Sequence, residues 1–407
     1  MKIRIEKGTA YGQIAAPPSK SYGHRMLICA ALASGRSTIG HISSSEDMLA
    51  TIDCIRALGG EAELSGDCCR VSGIARTSGD LPEYKCRESG STLRFFIPLA
   101  LALTGGGVFR GSRRLIERGI DVYEEIFAPR GVTFDYNDDA ITVRGSLQPG
   151  NYRVRGDVSS QFITGLLFAL PLLEGDSSLE IVPPVESRPY IDITADAMKQ
   201  FGVMIEEPEQ NRFVIRGGQK YKPADITVEG DWSNAAFLYA ISMLASPEGI
   251  AITGLNDDSI QGDRVCVECF DRLARGAGDD AIEISGCPDL GPVLFAFAAA
   301  AGGGKFTGIR RLRIKESDRA AAMAQELEKF DIRTIVSEND MEILPGRFSP
   351  PDEPVYGHND HRIVMALAVL LILTGGEIEG AEAVSKSYPE FFDDLRSIGV
   401  AWTVLEK

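Results

Sequence analysis

Runs of about a dozen mostly apolar residues recur six times along the chain, each after a polar or basic loop and each ending in glycine. Because these runs are apolar on nearly every side, each is typical of a helix that is buried all round. A short alternating run after the glycine predicts a strand, a more polar run predicts a half-exposed helix, and two further alternating runs predict a hairpin. The six runs lie at 17–35, 88–106, 157–175, 230–249, 287–303 and 358–376.

The spacing of the six runs indicates a repeat. Their terminal glycines lie 71, 69, 74, 54 and 73 residues apart, at Gly35, Gly106, Gly175, Gly249, Gly303 and Gly376. A repeat of this kind is typical of one supersecondary unit that is used several times. We therefore expect an α/β (α+β) repeat fold of six βαβαββ units in two lobes of three. Buried helices inside and sheets outside would make it an inside-out α/β barrel.

The domain boundaries follow from composition and from one strand that lacks a local partner. The segment 217–225 is rich in glycine, lysine and proline and is the best internal linker. The alternating start of the chain predicts a strand with no partner in the first unit, so we expect it to pair in the second half. The chain would then cross twice between lobes, giving one lobe of 1–19 with 229–407 and one of 20–228, with the active site in the cleft between them.

Composition excludes several classes of protein. The net charge is −16, from 42 basic and 58 acidic residues. This argues against binding nucleic acid or an anionic membrane surface. The start of the chain lacks the apolar core of a signal peptide, and the longest apolar run, Ile363 to Leu373, is too short to cross a bilayer. We expect a soluble cytoplasmic protein.

The cysteines do not indicate a disulfide framework or a metal site. There are eight cysteines without the spacing of a secreted scaffold, so reduced thiols are expected. Cys266 and Cys269 form a single CxxC with no matching second pair, so we expect neither zinc nor another metal. No nucleotide-binding fingerprint is present, and no cofactor is expected.

The candidate chemical residues lie mostly at the starts of the predicted helices. Unpaired backbone N–H groups and the helix dipole favour anions at these positions. Arginine there makes bidentate, charge-assisted bonds with phosphate and carboxylate groups. The pattern therefore favours small ligands that carry phosphate and carboxylate.

Seven motifs, in order, resemble those of one enzyme family. They are PPSKSYGHR (17–25), ESGSTLRF (88–95), SSQF (159–162), ESRPYIDIT (186–194), KESDR (315–319), NDHR (359–362) and KSYPEFF (386–392). Over essentially the whole chain they resemble 3-phosphoshikimate 1-carboxyvinyltransferases, also called EPSP synthases. The resemblance implies two lobes of three βαβαββ units that close around the substrates. It also implies transfer of the enolpyruvyl group of phosphoenolpyruvate to the 5-hydroxyl of shikimate 3-phosphate in the shikimate pathway, by a monomer.

The resemblance also assigns residues to substrates. Shikimate 3-phosphate, on the side of lobe 20–228, would be held by Lys20, Ser21, Arg25, Ser159, Ser160, Gln161, Ser187, Asp289 and Lys315. Phosphoenolpyruvate, on the side of the other lobe, would be held by Lys20, Gly90, Arg118, Gln161, Arg319, Arg362 and Lys386. Asp289 would take the 5-hydroxyl proton, and Lys20 and Glu316 would carry protons at the methylene carbon.

The chain departs from the family pattern at several positions. The unusual residues are Pro18, His24, Glu88, Gly119 and Arg311, where relatives often carry Gly, Asn, Asn, Pro and Asn. Gly90 fits the form in which phosphoenolpyruvate, and also glyphosate, has room. The sequence leaves sensitivity to glyphosate open.

Several of these residues have a simpler interpretation as structural groups. Asp289, Glu316 and Asp47 could merely cap helices, and His361 could be a packed core residue. Lys315 and Arg319 could form an exposed charge cluster at a helix start, although cations there oppose the helix dipole and favour an anionic ligand. Arg188 could pair with the substrate phosphate or with a protein carboxylate.

Three other functions compete. The sister enzyme that transfers enolpyruvate to UDP-N-acetylglucosamine usually has a reactive cysteine in the loop equivalent to 111–119, where this chain has none, and it lacks KESDR. A non-catalytic, phospholigand-binding relative is disfavoured because Lys20, Asp289 and Arg362 are all present. An RNA-end-modifying enzyme is disfavoured by the acidic composition.

Overall fold

The chain folds into two compact units. The computed structural model describes residues 1–74, 81–276 and 280–406. The first unit, which we call the discontinuous unit, comprises Met1–Ser19 and Gly230–Lys407, and the second, the continuous unit, comprises Lys20–Glu229.

The helices and strands follow the chain in this order. The first segment of the discontinuous unit contains β1 (Lys2–Ile5) and β2 (Gln13–Ala15). The continuous unit contains α1 (Lys20–Leu32), β3 (Arg36–Gly40), α2 (Glu46–Ala57), β4 (Glu61–Ser65), β5 (Cys68–Ser72), β6 (Glu83–Arg87), α3 (Gly90–Leu103), β7 (Gly106–Gly111), α4 (Arg113–Glu117), α5 (Asp121–Phe127), β8 (Thr133–Tyr136), β9 (Ala140–Arg144), β10 (Asn151–Arg155), α6 (Ser160–Ala169), β11 (Ser177–Val182), α7 (Arg188–Gln200), β12 (Glu206–Glu209), β13 (Arg212–Ile215) and β14 (Asp225–Thr227). The second segment of the discontinuous unit contains α8 (Trp232–Ala245), β15 (Ala251–Thr253), α9 (Cys266–Ala274), β16 (Ile282–Glu283), α10 (Gly291–Ala301), β17 (Gly304–Thr307), α11 (Arg319–Glu328), β18 (Thr334–Val336), β19 (Asp340–Ile343), β20 (Val355–Tyr356), α12 (His361–Thr374), β21 (Gly376–Glu379), α13 (Phe391–Ser397) and β22 (Trp402–Glu406).

The continuous unit contains three sheets with the same plan. Their strand orders are β14-β3-β5-β4, β6-β7-β9-β8 and β10-β11-β13-β12. In each sheet the first two strands are parallel and the others antiparallel. Parallel neighbours need a crossover connection, and the buried helices α3 and α6 supply it in two of the three sheets. The α/β repeat expected from the sequence is confirmed.

The discontinuous unit contains two four-stranded sheets, β16-β17-β19-β18 and β20-β21-β1-β22, and the two-stranded sheet β15-β2. The first strand of the chain, β1, lies between β21 and β22, with Ile3 opposite Ile378 and Val404. Its predicted pairing in the second half is confirmed. Among the described residues the six sheets stay separate, and none closes into a barrel.

The fourth repeat is shorter than the predicted βαβαββ unit. It has α8, β15 and α9, and only the seven residues 275–281 separate α9 from β16. This is the repeat whose glycines are 54 residues apart, and the short distance in sequence between α9 and β16 accounts for the spacing.

The predicted linker and one predicted helix are also placed differently. Segment 217–225 lies inside the continuous unit, where the buried Tyr221 donates a hydrogen bond to the carbonyl of Phe168 at 3.1 Å. The second helix of the second repeat is broken into α4 and α5, with Gly119 at a φ of 69° between them. A positive φ of this kind favours glycine and ends the first helix.

The apolar helices are buried as expected, and two of them approach closely. In α12, every residue from 361 to 372 is buried. Where α3 meets α6, a Cβ on Gly165 would lie 2.4 Å from the carbonyl oxygen of Arg94. The hydroxyl of Tyr123 bonds the carbonyls of Arg94 and Phe162 at 2.7 and 3.0 Å. This contact sets the position of α3 relative to α6, and both helices begin with predicted site residues.

Two further observations concern membrane-spanning and disulfide-bonded proteins, two classes that the sequence argued against. In the described part of the chain, no helix is long and apolar enough to span a bilayer. All eight cysteines are free thiols.

Candidate active site

In the discontinuous unit, three cations converge on the carboxylate of Asp289. Its Oδ1 accepts hydrogen bonds from Nζ of Lys315 at 3.1 Å and from Nη1 of Arg319 at 2.8 Å. Its Oδ2 accepts one from Nη2 of Arg362 at 3.2 Å. The N-cap of the next helix, α10, is Leu290. Asp289 is therefore the centre of a charge cluster and not a helix cap.

Arg319 is held by two more carboxylates. It is 1% exposed, and its Nε donates to Oδ2 of Asp360 at 2.8 Å, while its Nη2 donates to Oε2 of Glu316 at 2.7 Å. Asp360 is fully buried, caps α12 by accepting from the N–H of Arg362 at 2.9 Å, and also accepts from the hydroxyl of Ser317 at 3.0 Å. Asp360 thus holds two site arginines in place, and the exposed-cluster interpretation of Arg319 is wrong.

Glu316 does not cap α11. The cap is Asp318, whose side chain accepts from the N–H of Ala321. Glu316 instead pairs with Arg319. Buried or partly buried pairs of this kind keep both side chains in one geometry because breaking them leaves an uncompensated charge.

Lys315 has a shifted pKa. The pKa of its amine is lowered to about 8, chiefly by burial; Asp289 opposes this shift, Arg311 and Arg319 add to it, and Glu316 opposes it. Desolvation disfavours the charged form of a lysine. Lys315 can therefore change its protonation state near neutral pH, which is useful in a site that moves protons.

Lys386 and His361 lie at the edge of the cluster. Nζ of Lys386 donates to the carbonyl of Asn359 at 2.6 Å, next to the Asp360 cap. His361 is buried in the first turn of α12, as its interpretation as a packed residue requires. All six predicted site residues of this unit, Asp289, Lys315, Glu316, Arg319, Arg362 and Lys386, are thus grouped around the starts of α10, α11 and α12.

Sequence reasoning missed two buried polar residues in this unit. Burial, and after it the charge of Asp289, raises the pKa of Asp263 to about 6, while Arg362 opposes the rise. Gln261 accepts from the hydroxyl of Ser19 at 3.1 Å and donates to the carbonyl of Gly230 at 2.8 Å, so it joins the two chain segments of the unit. The signal for both was SIQGDR (259–264), a polar run between β15 and α9.

In the continuous unit, Lys20 begins α1 and Ser21 follows it. Nζ of Lys20 bonds Oδ2 of Asp47 at 2.9 Å. Asp47 lies in the first turn of α2, where a carboxylate also suits the helix dipole. Asp47 therefore orients Lys20 as well as favouring the helix start, a role that the capping interpretation omitted.

Arg25 is buried and is bonded by the protein itself. Its Nε donates to the hydroxyl of Thr194 at 2.8 Å, and its Nη2 and Nη1 donate to the carbonyls of Tyr190 and Ser21 at 2.9 and 2.7 Å. The bonds to Thr194 and Tyr190 tie α1 to α7. The guanidinium has five donors, so most of them are used before any ligand binds. Contact of Arg25 with substrate stays a prediction.

Gly90, Arg118 and Gln161 are brought together around Arg94. Nη1 of Arg94 donates to Oε1 of Gln161 at 2.7 Å, and Nε2 of Gln161 donates to the hydroxyl of Ser91 at 2.9 Å. A Cβ on Gly90 would lie 2.8 Å from Nη1 of Arg94 and 3.0 Å from Nη2 of Arg118. Glycine is needed here because a side chain would displace both guanidinium groups.

The remaining predicted serines lie at helix starts. Ser159 caps α6 by accepting from the N–H of Gln161, and Ser160 is the first residue of that helix. Ser187 precedes α7 with a φ of 56° and is buried. These positions fit an anion-binding role, which stays a prediction.

Arg188 contacts protein carboxylates. Its Nε donates to Asp192 at 2.8 Å, and its Nη1 and Nη2 donate to Oε1 and Oε2 of Glu207 at 2.8 and 2.5 Å. This bidentate pair settles how Arg188 is held in the structure and favours the second of its two interpretations.

Comparison with known proteins identifies the family to which the chain belongs. The model of the family described as EPSP synthase (3-phosphoshikimate 1-carboxyvinyltransferase) matches residues 6–395. The chain belongs to the EPSP synthase family. It is 42% identical to the 3-phosphoshikimate 1-carboxyvinyltransferase of Clostridium kluyveri, with 98% of this chain and 97% of that protein covered. It is 38% identical to the enzyme of the same name from Clostridioides difficile, with the same coverage.

Solved structures show the same fold. An EPSP synthase from Acinetobacter baumannii matches with a TM-score of 0.79 and 22% identity over 100% of both chains. The enolpyruvyl transferase NikO from Streptomyces tendae matches with a TM-score of 0.77 and 17% identity, covering 99% of this chain and 98% of that one. The resemblance drawn from the seven motifs and the expected repeat fold are both confirmed.

The two groups of residues suit the chemistry of an EPSP synthase. Arginines and lysines fixed in position can bind phosphate and carboxylate groups without reorganising during the reaction. A carboxylate beside a lysine whose pKa is about 8 can exchange protons near neutral pH. The discontinuous unit therefore holds acid–base groups and cations together.

Proposed function

We propose that the protein transfers the enolpyruvyl group of phosphoenolpyruvate to the 5-hydroxyl of shikimate 3-phosphate. The products are 5-enolpyruvylshikimate 3-phosphate and phosphate. The observation that carries the proposal is the carboxylate of Asp289 in contact with Lys315, Arg319 and Arg362, in a chain of the EPSP synthase family. This reaction belongs to the shikimate pathway, which leads to chorismate and the aromatic amino acids.

The reaction is an addition followed by an elimination. The 5-hydroxyl oxygen bonds to C2 of phosphoenolpyruvate while the methylene carbon gains a proton, which gives a tetrahedral ketal phosphate. The C–O bond to phosphate then breaks and the methyl group loses a proton, which restores the double bond. Asp289 takes the hydroxyl proton, and Lys20 and Glu316 carry protons at the methylene carbon. Each positioned acid or base is worth about 10²–10⁴-fold in rate.

Substrate binding uses fixed cations and helix starts. Shikimate 3-phosphate is bound by Lys20, Ser21, Arg25, Ser159, Ser160, Gln161, Ser187, Asp289 and Lys315. Phosphoenolpyruvate is bound by Lys20, Gly90, Arg118, Gln161, Arg319, Arg362 and Lys386. Fixed donors and helix dipoles support these roles because both substrates carry phosphate and carboxylate groups. The protein acts in the cytoplasm as a monomer on small molecules, without a metal ion, a cofactor, nucleic acid or a membrane.

The proposal is tested by phosphate release from phosphoenolpyruvate by the purified protein. We expect release with shikimate 3-phosphate as the acceptor and none with UDP-N-acetylglucosamine. Asp289→Asn should lower the rate by about 10²–10³-fold. The exposed carboxylate Asp139 is a matched control, so Asp139→Asn should leave the rate unchanged. Release with UDP-N-acetylglucosamine instead would identify the sister enzyme. Silence with both acceptors, while shikimate 3-phosphate still raised the Tm, would indicate a binding-only relative.

A further inference from the structure

A chain of buried side-chain hydrogen bonds joins α1, α2 and α3 in the continuous unit. Nδ1 of His24 lies 2.7 Å from Oγ1 of Thr51, and Oγ1 of Thr51 lies 2.8 Å from Oγ1 of Thr92. Thr92 donates its hydroxyl proton to Oγ of Ser89 at 2.8 Å. All four residues are at most 2% exposed. The site assignments above use none of them.

In this series of hydrogen bonds, the donors can be arranged in only one order, from His24 to Ser89. A threonine hydroxyl has one proton, and Thr92 gives its proton to Ser89, so Thr92 accepts from Thr51. Thr51 has then used its own proton and must accept from Nδ1–H of His24. Burial, with Lys20 and Arg25 nearby, holds the pKa of His24 well below its usual range, so the ring is neutral. The structure thus requires the tautomer with its proton on Nδ1.

This series of hydrogen bonds connects two parts of the proposed site. His24 lies one helical turn after Lys20 in α1, and Thr51 lies one turn after Asp47 in α2. Residues four apart lie on the same face of a helix. The contacts Lys20–Asp47 and His24–Thr51 are therefore two successive rungs between α1 and α2.

The other end of the chain reaches the first turn of α3. Ser89 caps α3 and also accepts from the N–H of Thr92 at 3.2 Å. The next residue is Gly90, which packs against Arg94 and Arg118. A shift of this turn would move the place where the proposed function puts phosphoenolpyruvate.

We propose that Thr51 is a positioning residue that holds the first turn of α3 in register with Lys20 for the binding of phosphoenolpyruvate. The inference rests on the proposed function. Thr51 is fully buried and acts through Thr92 and Ser89 rather than by touching substrate. α1 is held independently by the bonds that Arg25 makes to Thr194 and Tyr190 of α7. Loss of Thr51 therefore acts mainly on α3.

The matched pair Thr51→Val and Thr51→Ser tests this role. Valine keeps the shape of threonine but leaves buried donors and acceptors unpaired, while serine keeps the hydroxyl. We expect Thr51→Val to raise KM for phosphoenolpyruvate about tenfold, with KM for shikimate 3-phosphate changed by less than about twofold. Thr51→Ser should stay within about twofold of wild type for both substrates. An equal rise in both KM values, or no rise in either, would overturn the proposal.

A second measurement requires no folded variant at Thr51. Histidine ¹⁵N NMR of the wild-type protein, which has four histidines, should show a neutral ring for His24 with its proton on Nδ1. His24→Asn assigns the signal. A ring whose Nδ1 takes part in no hydrogen bond would show that the link from α1 to α3 does not exist and would overturn the proposal. If wild type lacks turnover, the proposed function fails, while the NMR result still decides whether the hydrogen-bond chain exists.

Discussion

The two units hold their site residues by different means. In the discontinuous unit, the cations Lys315, Arg319 and Arg362 are in contact with the carboxylate of Asp289, and Arg319 also bonds Glu316 and Asp360. In the continuous unit, Arg25 and Arg94 donate to hydroxyl, amide and carbonyl oxygens. The first group is a network of paired charges. In the second group these two arginines donate to neutral oxygens, while Lys20 pairs with the carboxylate of Asp47.

The difference has physical consequences. A buried charge whose partner is removed is left uncompensated, which costs more free energy than the loss of a neutral hydrogen bond. The charged network should therefore be sensitive to truncation and to pH. Neutral partners do not cancel the charge of an arginine, so Arg25 can still attract an anionic ligand.

The largest expected effect comes from removing Lys20. Lys20→Met should lower kcat/KM by about 10²–10³-fold or more, because it removes both a cation and a proposed proton carrier. Far-UV circular dichroism and the Tm should stay close to wild type, since α1 is also held by Arg25. Activity like that of wild type would contradict the proposed site.

The next effect compares one truncation in each network. Asp360→Asn should lower the free energy of unfolding by about 3–5 kcal/mol, because it leaves Arg319 buried without its main partner. Thr194→Val, which removes a neutral partner of Arg25, should cost about 1–2 kcal/mol. Urea unfolding of both variants checks the difference. Equal losses of unfolding free energy in the two variants would show that the charged and the neutral partners stabilise the protein to the same extent.

The pH dependence should come from the charged network. The pKa of Lys315 is lowered to about 8, so its positive charge is lost as the pH rises through that value. We expect kcat/KM for shikimate 3-phosphate to fall above a pH of about 8, and Lys315→Arg to remove this fall because arginine stays charged. The charged groups that face the amine are Asp289, Glu316, Arg311 and Arg319.

Lys315 should make the free energy of unfolding rise with pH, whereas it makes the activity fall. Between a pH of about 8 and the ordinary lysine value, the unfolded chain binds a proton that the folded chain has released. This group should therefore make the free energy of unfolding rise with pH in that window. Urea titrations of wild type and Lys315→Arg at several pH values measure the difference. A falling contribution from Lys315 would show that its pKa is raised and not lowered.

The smallest expected effect is at Arg188. This side chain is bidentate to Glu207 and bonds Asp192, but all three groups are partly exposed. Arg188→Met should cost about 0.5–1 kcal/mol of stability and should change KM for shikimate 3-phosphate by less than about threefold. A much larger rise in KM would return Arg188 to the substrate-binding residues.

The sequence predicted the fold where local periodicity determines it. Six apolar runs that each end in glycine predicted the repeats. Because β1 has no partner in the first repeat, its pairing in the second half of the chain could also be predicted. The linker was misplaced because composition is local. Segment 217–225 belongs to the continuous unit because β14 pairs with β3, with Asp225 opposite Thr38, and no local signal records that pairing.

The site was predicted through motifs, and its supporting residues were not. Asp289, Arg319 and Arg362 stood in recognisable motifs, whereas Asp360 could be recognised only as a helix start. Its hold on Arg319 depends on a contact between residues 41 apart in sequence. Arg188 had two equal interpretations, and its contact with Glu207, which lies 19 residues further along the sequence, favours pairing with a protein carboxylate.

The most direct test of the account is ³¹P NMR of shikimate 3-phosphate and phosphoenolpyruvate mixed with the protein. The account predicts that both substrate signals fall together, while one phosphomonoester product and one inorganic phosphate appear in equal amounts. Asp289→Asn should slow both products alike. Phosphate release without consumption of shikimate 3-phosphate would contradict the account. Substrate signals that stay unchanged in the presence of folded protein would contradict it as well.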